Sequence, residues 1–312
     1  AGCTMVLKPA EQTPLTALRL GELIDEAGFP PGVVNIVTGY GEEAGAALAA
    51  HGDVDKVSFT GSTEIGKIIV RAAAGNLKRL TLELGGKSPV IVMPDADLDK
   101  AIPGVANGIF FNTGQVCTAG SRLFAHAAIF DDLMKGVAAR ARGLKVGAGL
   151  DPSTEIGPLV SATQQRRVEG YIRSGLDEGA EVLAAGQAPL DGPGFFVAPT
   201  ILGRTHREMA VRREEIFGPV LCAVSFDDAT LDELAAEAND TTYGLAASVF
   251  TSHLGAAHKL ASRIRAGTVK INGGGLDPSL PAGGYKQSGW GREYGREGVE
   301  IYTELKSVLV SL

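Results

Sequence analysis

The chain has 312 residues, of which 45% are hydrophobic and 21% charged, and a formal net charge of −7 with a pI near 5.4. That length allows roughly two domains and a sizeable core, while the acidic balance excludes a general electrostatic grip on nucleic acid or an anionic membrane, both of which need a basic surface. No apolar run reaches the roughly 20 residues that span a bilayer, and three widely spaced cysteines (Cys3, Cys117, Cys222) without a CxxC pair, in a chain lacking HExxH, speak against a disulfide framework and a metal site and for a reducing, cytoplasmic compartment.

Residues 4–7 read as an opening strand with no lead-in, so a preceding segment is expected and a targeting peptide is neither seen nor excluded. Lys8-Pro9-Ala10-Glu11 follows directly. A lysine and a carboxylate so spaced can both reach a ribose or phosphate, although a solvated turn accounts for them as well. Thr13-Pro14 supplies an N-cap with proline at the first helical position, and Leu15, Leu18, Leu20, Leu23 and Ile24 form a helical stripe that ends at Gly28 and Pro30-Pro31-Gly32. Residues 33–38 are an apolar run of strand type, 42–50 are helix-like, and 56–60 form a further strand. This alternation predicts βαβ units and a mostly parallel sheet, in which ligands sit beyond the carboxyl ends of strands.

At one such end, Phe59-Thr60-Gly61-Ser62-Thr63-Glu64-Ile65-Gly66 turns a strand into a helix. Gly61 and Gly66 permit close backbone approach, and a helix N-terminus with the Ser62 hydroxyl suits a phosphate oxygen. The spacing is not GxGxxG, and a plain N-cap with a turn glycine fits equally. Leu80-Thr81-Leu82-Glu83-Leu84-Gly85-Gly86-Lys87 is a strand ending in two glycines with a carboxylate among its last apolar residues. Burial raises such a glutamate towards the range of a working base. Alternation places Thr81, Glu83 and Gly85 on one face, so an outward-facing strand glutamate is the other reading.

Residues 89–93 form another strand, and a helix over 98–111 delivers Cys117 to the loop Asn112-Thr113-Gly114-Gln115-Val116-Cys117-Thr118-Ala119-Gly120. A free cysteine is usually a small buried hydrophobe. A thiol and a carboxylate, each at a glycine-rich element end, are however what covalent acyl chemistry requires: the thiolate attacks, and the base activates thiol or water. Arg140 to Lys145 reads as the solvated end of a helix. Between 131 and 198 the pattern is helices separated by turns at Gly157-Pro158 and at Asp191-Gly192-Pro193-Gly194. Glu214-Glu215-Ile216-Phe217-Gly218-Pro219-Val220, by itself, is a solvated turn before a strand over 220–226. Helices over 231–238 and 253–264 flank a strand over 245–250 and precede one over 268–271. A long glycine-rich loop from Gly273 to Gly289 has a length that is often functional. Alternation of Val308, Val310 and Leu312 makes 307–312 a final strand, a natural edge for pairing with another subunit.

LELGGKSP around Glu83 and FFNTGQVCTAGSR around Cys117 resemble the two active-site signatures of the NAD(P)-dependent aldehyde dehydrogenases, and KPAEQTPLTAL, SFTGSTEIG, REEIFGPV and GGYKQSGWGRE extend the resemblance along nearly the whole chain. The resemblance implies an α/β fold: an incomplete Rossmann-type nucleotide-binding domain over 1–85, an α/β catalytic domain over 86–285, and a C-terminal return and oligomerisation segment over 286–312. It implies oxidation of a small-molecule aldehyde to a carboxylic acid. Cys117 adds to the carbonyl as a thiolate, the thiohemiacetal passes hydride to the nicotinamide, and Glu83 activates the water that hydrolyses the thioester. Lys8 and Glu11 are then expected to hold the adenosine ribose, Ser62 with Gly61 and Gly66 the pyrophosphate, and Glu215 the nicotinamide ribose with Phe217 against it. A carboxylate at Glu11 accepts from a free 2′-hydroxyl and repels a 2′-phosphate, so NAD is expected, with Lys8 leaving NADP use open. A homodimer or homotetramer is expected at full length.

Members of the family carry a further segment before the position of Ala1, holding half of the sheet, a bridging hairpin and an asparagine of the oxyanion hole. These 312 residues alone are therefore expected to be a fragment of impaired activity, since one lost oxyanion donor costs about 10²- to 10³-fold. Ala282 stands where many relatives have phenylalanine in the substrate tunnel, which implies a wider pocket for bulky aldehydes. Two rival functions are a coenzyme A-acylating dehydrogenase, against which Glu83 speaks because that branch commonly lacks the base, and a non-catalytic binding or structural module.

Overall fold

The computed structural model describes residues 1–189, 193–275 and 277–312. Asp191 and Gly192 of the expected turn, and Leu276 of the expected long loop, lie outside the described residues. In chain order the strands among the described residues are β1 (Met5–Leu7), β2 (Val34–Ile36), β3 (Lys56–Thr60), β4 (Arg79–Glu83), β5 (Pro89–Val92), β6 (Arg122–His126), β7 (Glu181–Ala185), β8 (Thr200–Gly203), β9 (Val220–Phe226), β10 (Ala246–Phe250), β11 (Thr268–Ile271) and β12 (Gly289–Trp290). They fall into two compact units, one of residues 1–83, 277–282 and 289–312, the other of residues 84–276 and 283–288.

The second unit is built on a seven-stranded sheet in the order β11-β10-β5-β6-β9-β8-β7, in which every neighbouring pair is parallel except β7 and β8. Its strands β5, β8 and β10 are almost wholly buried because both faces are covered. Val90, Val92, Leu123 and Ala125 pack with the helices Leu98–Phe110 and Ala127–Gly143, while Ile91 and Phe124, one residue out of phase, pack with Leu231–Asn239 and Leu254–Arg263. The reading of 131–198 as helices alone is corrected by β7, an edge strand whose one buried residue is Ala184. With a single buried position it has no alternation to betray it.

The first unit holds a parallel pair, β1 and β2, and a three-stranded sheet in which β4 lies between parallel β3 and antiparallel β12. The leucine stripe does form a helix, Leu15–Glu26, but none of its residues is buried. Residues 42–50 become a π-helical turn, Gly41–Gly45, followed by Ala46–Ala50. The expected terminal strand at 307–312 pairs with no strand among the described residues, and Val308, Val310 and Leu312 are exposed. Among the described residues no helix is long and apolar enough to cross a membrane.

Candidate active site

The helix Leu98–Phe110 ends in three consecutive left-handed residues: Asn112 (φ 51°, ψ 34°), Thr113 (φ 59°, ψ 30°) and Gly114 (φ 68°). Each non-glycine residue so placed costs roughly 1–2 kcal/mol, and the loop is braced to match. Thr113 Oγ1 donates to the Gly157 carbonyl at 3.0 Å, Asn112 Nδ2 to the Gln115 carbonyl at 3.1 Å, and Gln115 Oε1 accepts the Val160 N–H at 2.9 Å. Gly114 admits no side chain, because a Cβ there would lie 2.1 Å from the Gly218 carbonyl oxygen.

Cys117 follows this brace and is half-buried, with its carbonyl against Gly86, where a Cβ would come within 2.2 Å. The other thiols differ in kind. Cys3 is exposed, whereas Cys222 is buried, donates to the Val211 carbonyl at 3.2 Å, and has its thiol pushed up by burial, which keeps it unreactive.

The Gly85-Gly86 pair also seats Glu215. The Gly86 N–H donates to Glu215 Oε1 at 3.0 Å, and a Cβ on Gly85 would lie 2.4 Å from Glu215 Oε2, so only glycine lets the carboxylate rest on this backbone. Burial pushes the Glu215 carboxyl up, against the pull of the Gly86 N–H, Arg167 and Lys87. Two residues on, Phe217 is itself left-handed (φ 57°). The helix Ala162–Asp177 holds it there: Gln164 Nε2 donates to the Ile216 and Phe217 carbonyls at 3.0 and 2.9 Å, and Arg167 Nη2 to the Glu215 carbonyl at 2.8 Å. The solvated turn read from residues 214–220 alone is thus a half-buried, clamped loop.

In the first unit, Glu83 is the last residue of β4, opposite Thr60 on one side and Gly289 on the other. It is half-buried, and its Oε1 is buried with no hydrogen-bond partner, which corrects the outward-facing alternative. Burial first, and the Glu293 carboxylate second, push its carboxyl up to about 7, with Arg292 opposing. Glu293 is fixed in turn by reciprocal backbone hydrogen bonds with Ala282 of 2.8 and 2.7 Å.

The Glu83 carbonyl accepts the Gly61 N–H at 3.0 Å, so Gly61 and Ser62 leave β3 beside the catalytic candidate of β4. Ser62 caps the helix Thr63–Ala72, its Oγ accepting the Ile65 N–H at 3.2 Å. The cap uses one lone pair and leaves the hydroxyl proton to donate elsewhere. Gly61 has a packing reason of its own, since a Cβ would lie 2.4 Å from the Phe59 ring, and Gly66 is buried within the helix. Lys8 and Glu11 form an ion pair of 3.0 Å, and the Glu11 carboxyl is held below its usual range by its own backbone N–H and by Lys8.

Comparison with known proteins gives a match to the aldehyde dehydrogenase family over residues 1–308. The chain belongs to that family. It is 55% identical over 312 residues to the Bacillus subtilis protein DhaS and 51% identical over 313 residues to human mitochondrial aldehyde dehydrogenase, all of this chain matching 62% and 60% of their lengths. Against the Bacillus cereus aldehyde dehydrogenase solved as an NAD+ complex it is 50% identical with a TM-score of 0.96, covering all of this chain and 63% of that one. The chain therefore spans about three fifths of the length of the relatives it matches. The α/β aldehyde dehydrogenase fold expected from the motifs is the fold observed.

Four residues that the motifs did not single out for a role act on the candidates: Gln164, Arg167, Lys87 and Glu293. Gln164 and Arg167 lie three apart on one helix, a spacing visible in the sequence but shared with many solvated faces.

Proposed function

We propose that the protein carrying this chain oxidises an aldehyde to the carboxylic acid, with NAD+ rather than NADP+ as the preferred hydride acceptor. The observation that carries the reading is Glu83, a half-buried carboxyl held near 7 at the end of a parallel strand in a member of the aldehyde dehydrogenase family. A base with that pKa is partly ionised at neutrality and still strong enough to take a proton.

The Cys117 thiolate adds to the aldehyde carbon as the carbonyl π pair moves onto oxygen. A bound NAD+ would supply the acceptor for the hydride on that carbon, and as the oxygen re-forms its double bond the acyl group stays on Cys117 as a thioester. Glu83 then removes a proton from water as its oxygen attacks the thioester carbon, and the C–S bond breaks to return the thiolate. The donor chemistry of this chain fits the dinucleotide: Glu11 accepts from and Lys8 donates to vicinal hydroxyls, the Ser62 helix terminus suits a diphosphate with Gly61 and Gly66 beside it, and Glu215 and Phe217 suit the second ribose. A 2′-phosphate would meet the Glu11 carboxylate, which favours NAD+. The related Bacillus cereus enzyme was solved with NAD+.

We read the functional division as 1–85 for cofactor, 86–285 for chemistry and 286–312 for assembly into a cytoplasmic homodimer or homotetramer, the exposed Val308, Leu309 and Val310 supporting the last.

Product analysis with and without coenzyme A tests the reaction. Carboxylic acid is expected in both, and acyl-coenzyme A would transfer the chain to the acylating class. Ala282 gives the substrate class: Ala282→Phe should lower kcat/KM for bulky relative to short aldehydes by roughly tenfold. An unchanged ratio would remove Ala282 from the pocket.

A further inference from the structure

Among the described residues Lys87 is the second-largest fully buried side chain, 1% exposed, and its Nζ has no hydrogen-bond partner there. Lysine is almost never buried this far unless paired, because an isolated ammonium in a low dielectric is costly. A hydrophobic residue of similar volume would fill the space at lower cost, so the charge itself calls for a role.

The charged and titratable groups acting on Lys87 are Cys222, Arg122, Glu215 and Arg212. Three of them are otherwise engaged. Arg122 donates to the carbonyls of Lys87 and Ala238 at 2.9 and 2.7 Å, Arg212 pairs with Glu237 at 3.1 Å, and both guanidinium groups lie over the Phe124 ring. The Cys222 thiol donates to Val211 and stays neutral. Glu215 is the one carboxylate of the four. From its own side, Glu215 is pulled towards ionisation by the Gly86 N–H, Arg167 and Lys87. Arg167 is exposed and spends a donor on the Glu215 carbonyl rather than the carboxylate. Arg167 exerts the larger pull of the two, but from an exposed side chain whose field water and salt screen, whereas Lys87 acts through the protein interior.

We propose that Lys87 is a positioning residue, the buried counter-charge that keeps the Glu215 carboxylate ionised and seated on Gly85-Gly86. Its bearing on cofactor affinity rests on the reading of Glu215 as a ribose ligand. Chain connectivity makes the arrangement economical, since the residue carrying the charge directly follows the residue whose N–H binds the carboxylate. Burial holds the Lys87 ammonium down to about 8, so it is charged at neutrality and fades in mild alkali.

The test is a double-mutant cycle of Lys87→Met, Glu215→Gln and their combination, with Lys87→Arg as the charge-keeping variant. It is read by thermal midpoint without cofactor and by NAD+ titration of the exposed Trp290 fluorescence across pH. Lys87→Met should lower Tm by about 2–4 °C when Glu215 is present and by little or nothing when Glu215 is glutamine. In the NAD+ titration it should move the acid-side loss of affinity upward by roughly one pH unit, and Lys87→Arg should restore both. Should Lys87→Met fail to fold, folding of the combined variant supports the pairing, and its failure overturns it. Equal Tm changes in both backgrounds overturn it too, as does an unshifted midpoint in a protein whose NAD+ affinity falls on Glu215→Gln. If the Tm cycle shows coupling while Glu215→Gln leaves NAD+ affinity unchanged, the pairing stands and the ribose role of Glu215 fails.

Discussion

Cys117→Ala is expected to abolish aldehyde oxidation by the protein carrying this chain, with kcat/KM falling at least about 10⁴-fold. On the proposed mechanism the substitution deletes the sulfur that would form the covalent bond, so that no remaining group could hold the acyl intermediate while water is activated. The loop should survive, because Thr113, Gln115 and Gly114 set its course through contacts with Gly157, Val160 and Gly218 that do not involve the Cys117 side chain. Thermal denaturation should therefore show little change, and cofactor titration should show binding without turnover. Cys3→Ala, at an exposed thiol, is the control and should leave kcat unaltered. Retained dehydrogenase activity in Cys117→Ala would sink the assignment of the nucleophile and the mechanism with it.

Glu83→Gln should reduce steady-state turnover by about 10²- to 10⁴-fold while leaving the first turnover intact, so that a burst of NADH is followed by near-arrest. The difference arises because thiolate attack precedes the step that needs the carboxylate. In the unmodified protein the deacylation rate should rise with pH up to about 7, where the Glu83 carboxyl becomes ionised, and level off above. Glu83→Gln should lack this limb. Glu293→Gln should shift it to lower pH, because removing the Glu293 charge removes the second cause of the elevation. Stability gives an independent check. A carboxyl whose folded pKa lies above its unfolded value holds a proton in the folded state that the unfolded chain has already lost. Its ionisation therefore destabilises the fold as pH rises from the ordinary glutamate range through about 7. Glu83→Gln should be the more stable protein above pH 7 and should lose that advantage in acid. A pH–rate profile identical to that of Glu83→Gln would place the base elsewhere.

Of the parallel strands of the second unit, β5, β9, β10 and β11 were legible because burial forces apolar runs, as in Pro89–Val92 and Val220–Phe226, whereas the four-residue β8 was not read. β6 was not, since it opens with Arg122, a residue that looks solvated until its guanidinium finds the carbonyls of Lys87 and Ala238. The edge strand β7 shows the converse limit, a strand without alternation. Among the site candidates, Lys8 with Glu11 and Gly61 with Ser62 stood out by adjacency in sequence. Glu215 did not, because its half-burial comes from distant residues, Gly85, Gly86, Gln164 and Arg167.

By itself the sequence determined the chemistry available to this protein: a thiol and a carboxylate at glycine-rich element ends, in motifs specific enough to indicate the aldehyde dehydrogenase family. It also determined much of the strand and helix pattern. Only the tertiary structure decided how those groups are tuned. The raised Glu83 carboxyl depends on burial first and on Glu293 second, the seat of Glu215 on Gly85-Gly86, and the lowered Lys87 ammonium on burial. Electrostatic environment is set by neighbours in space and by exclusion of water. Neither quantity is encoded by the spacing of residues along a chain.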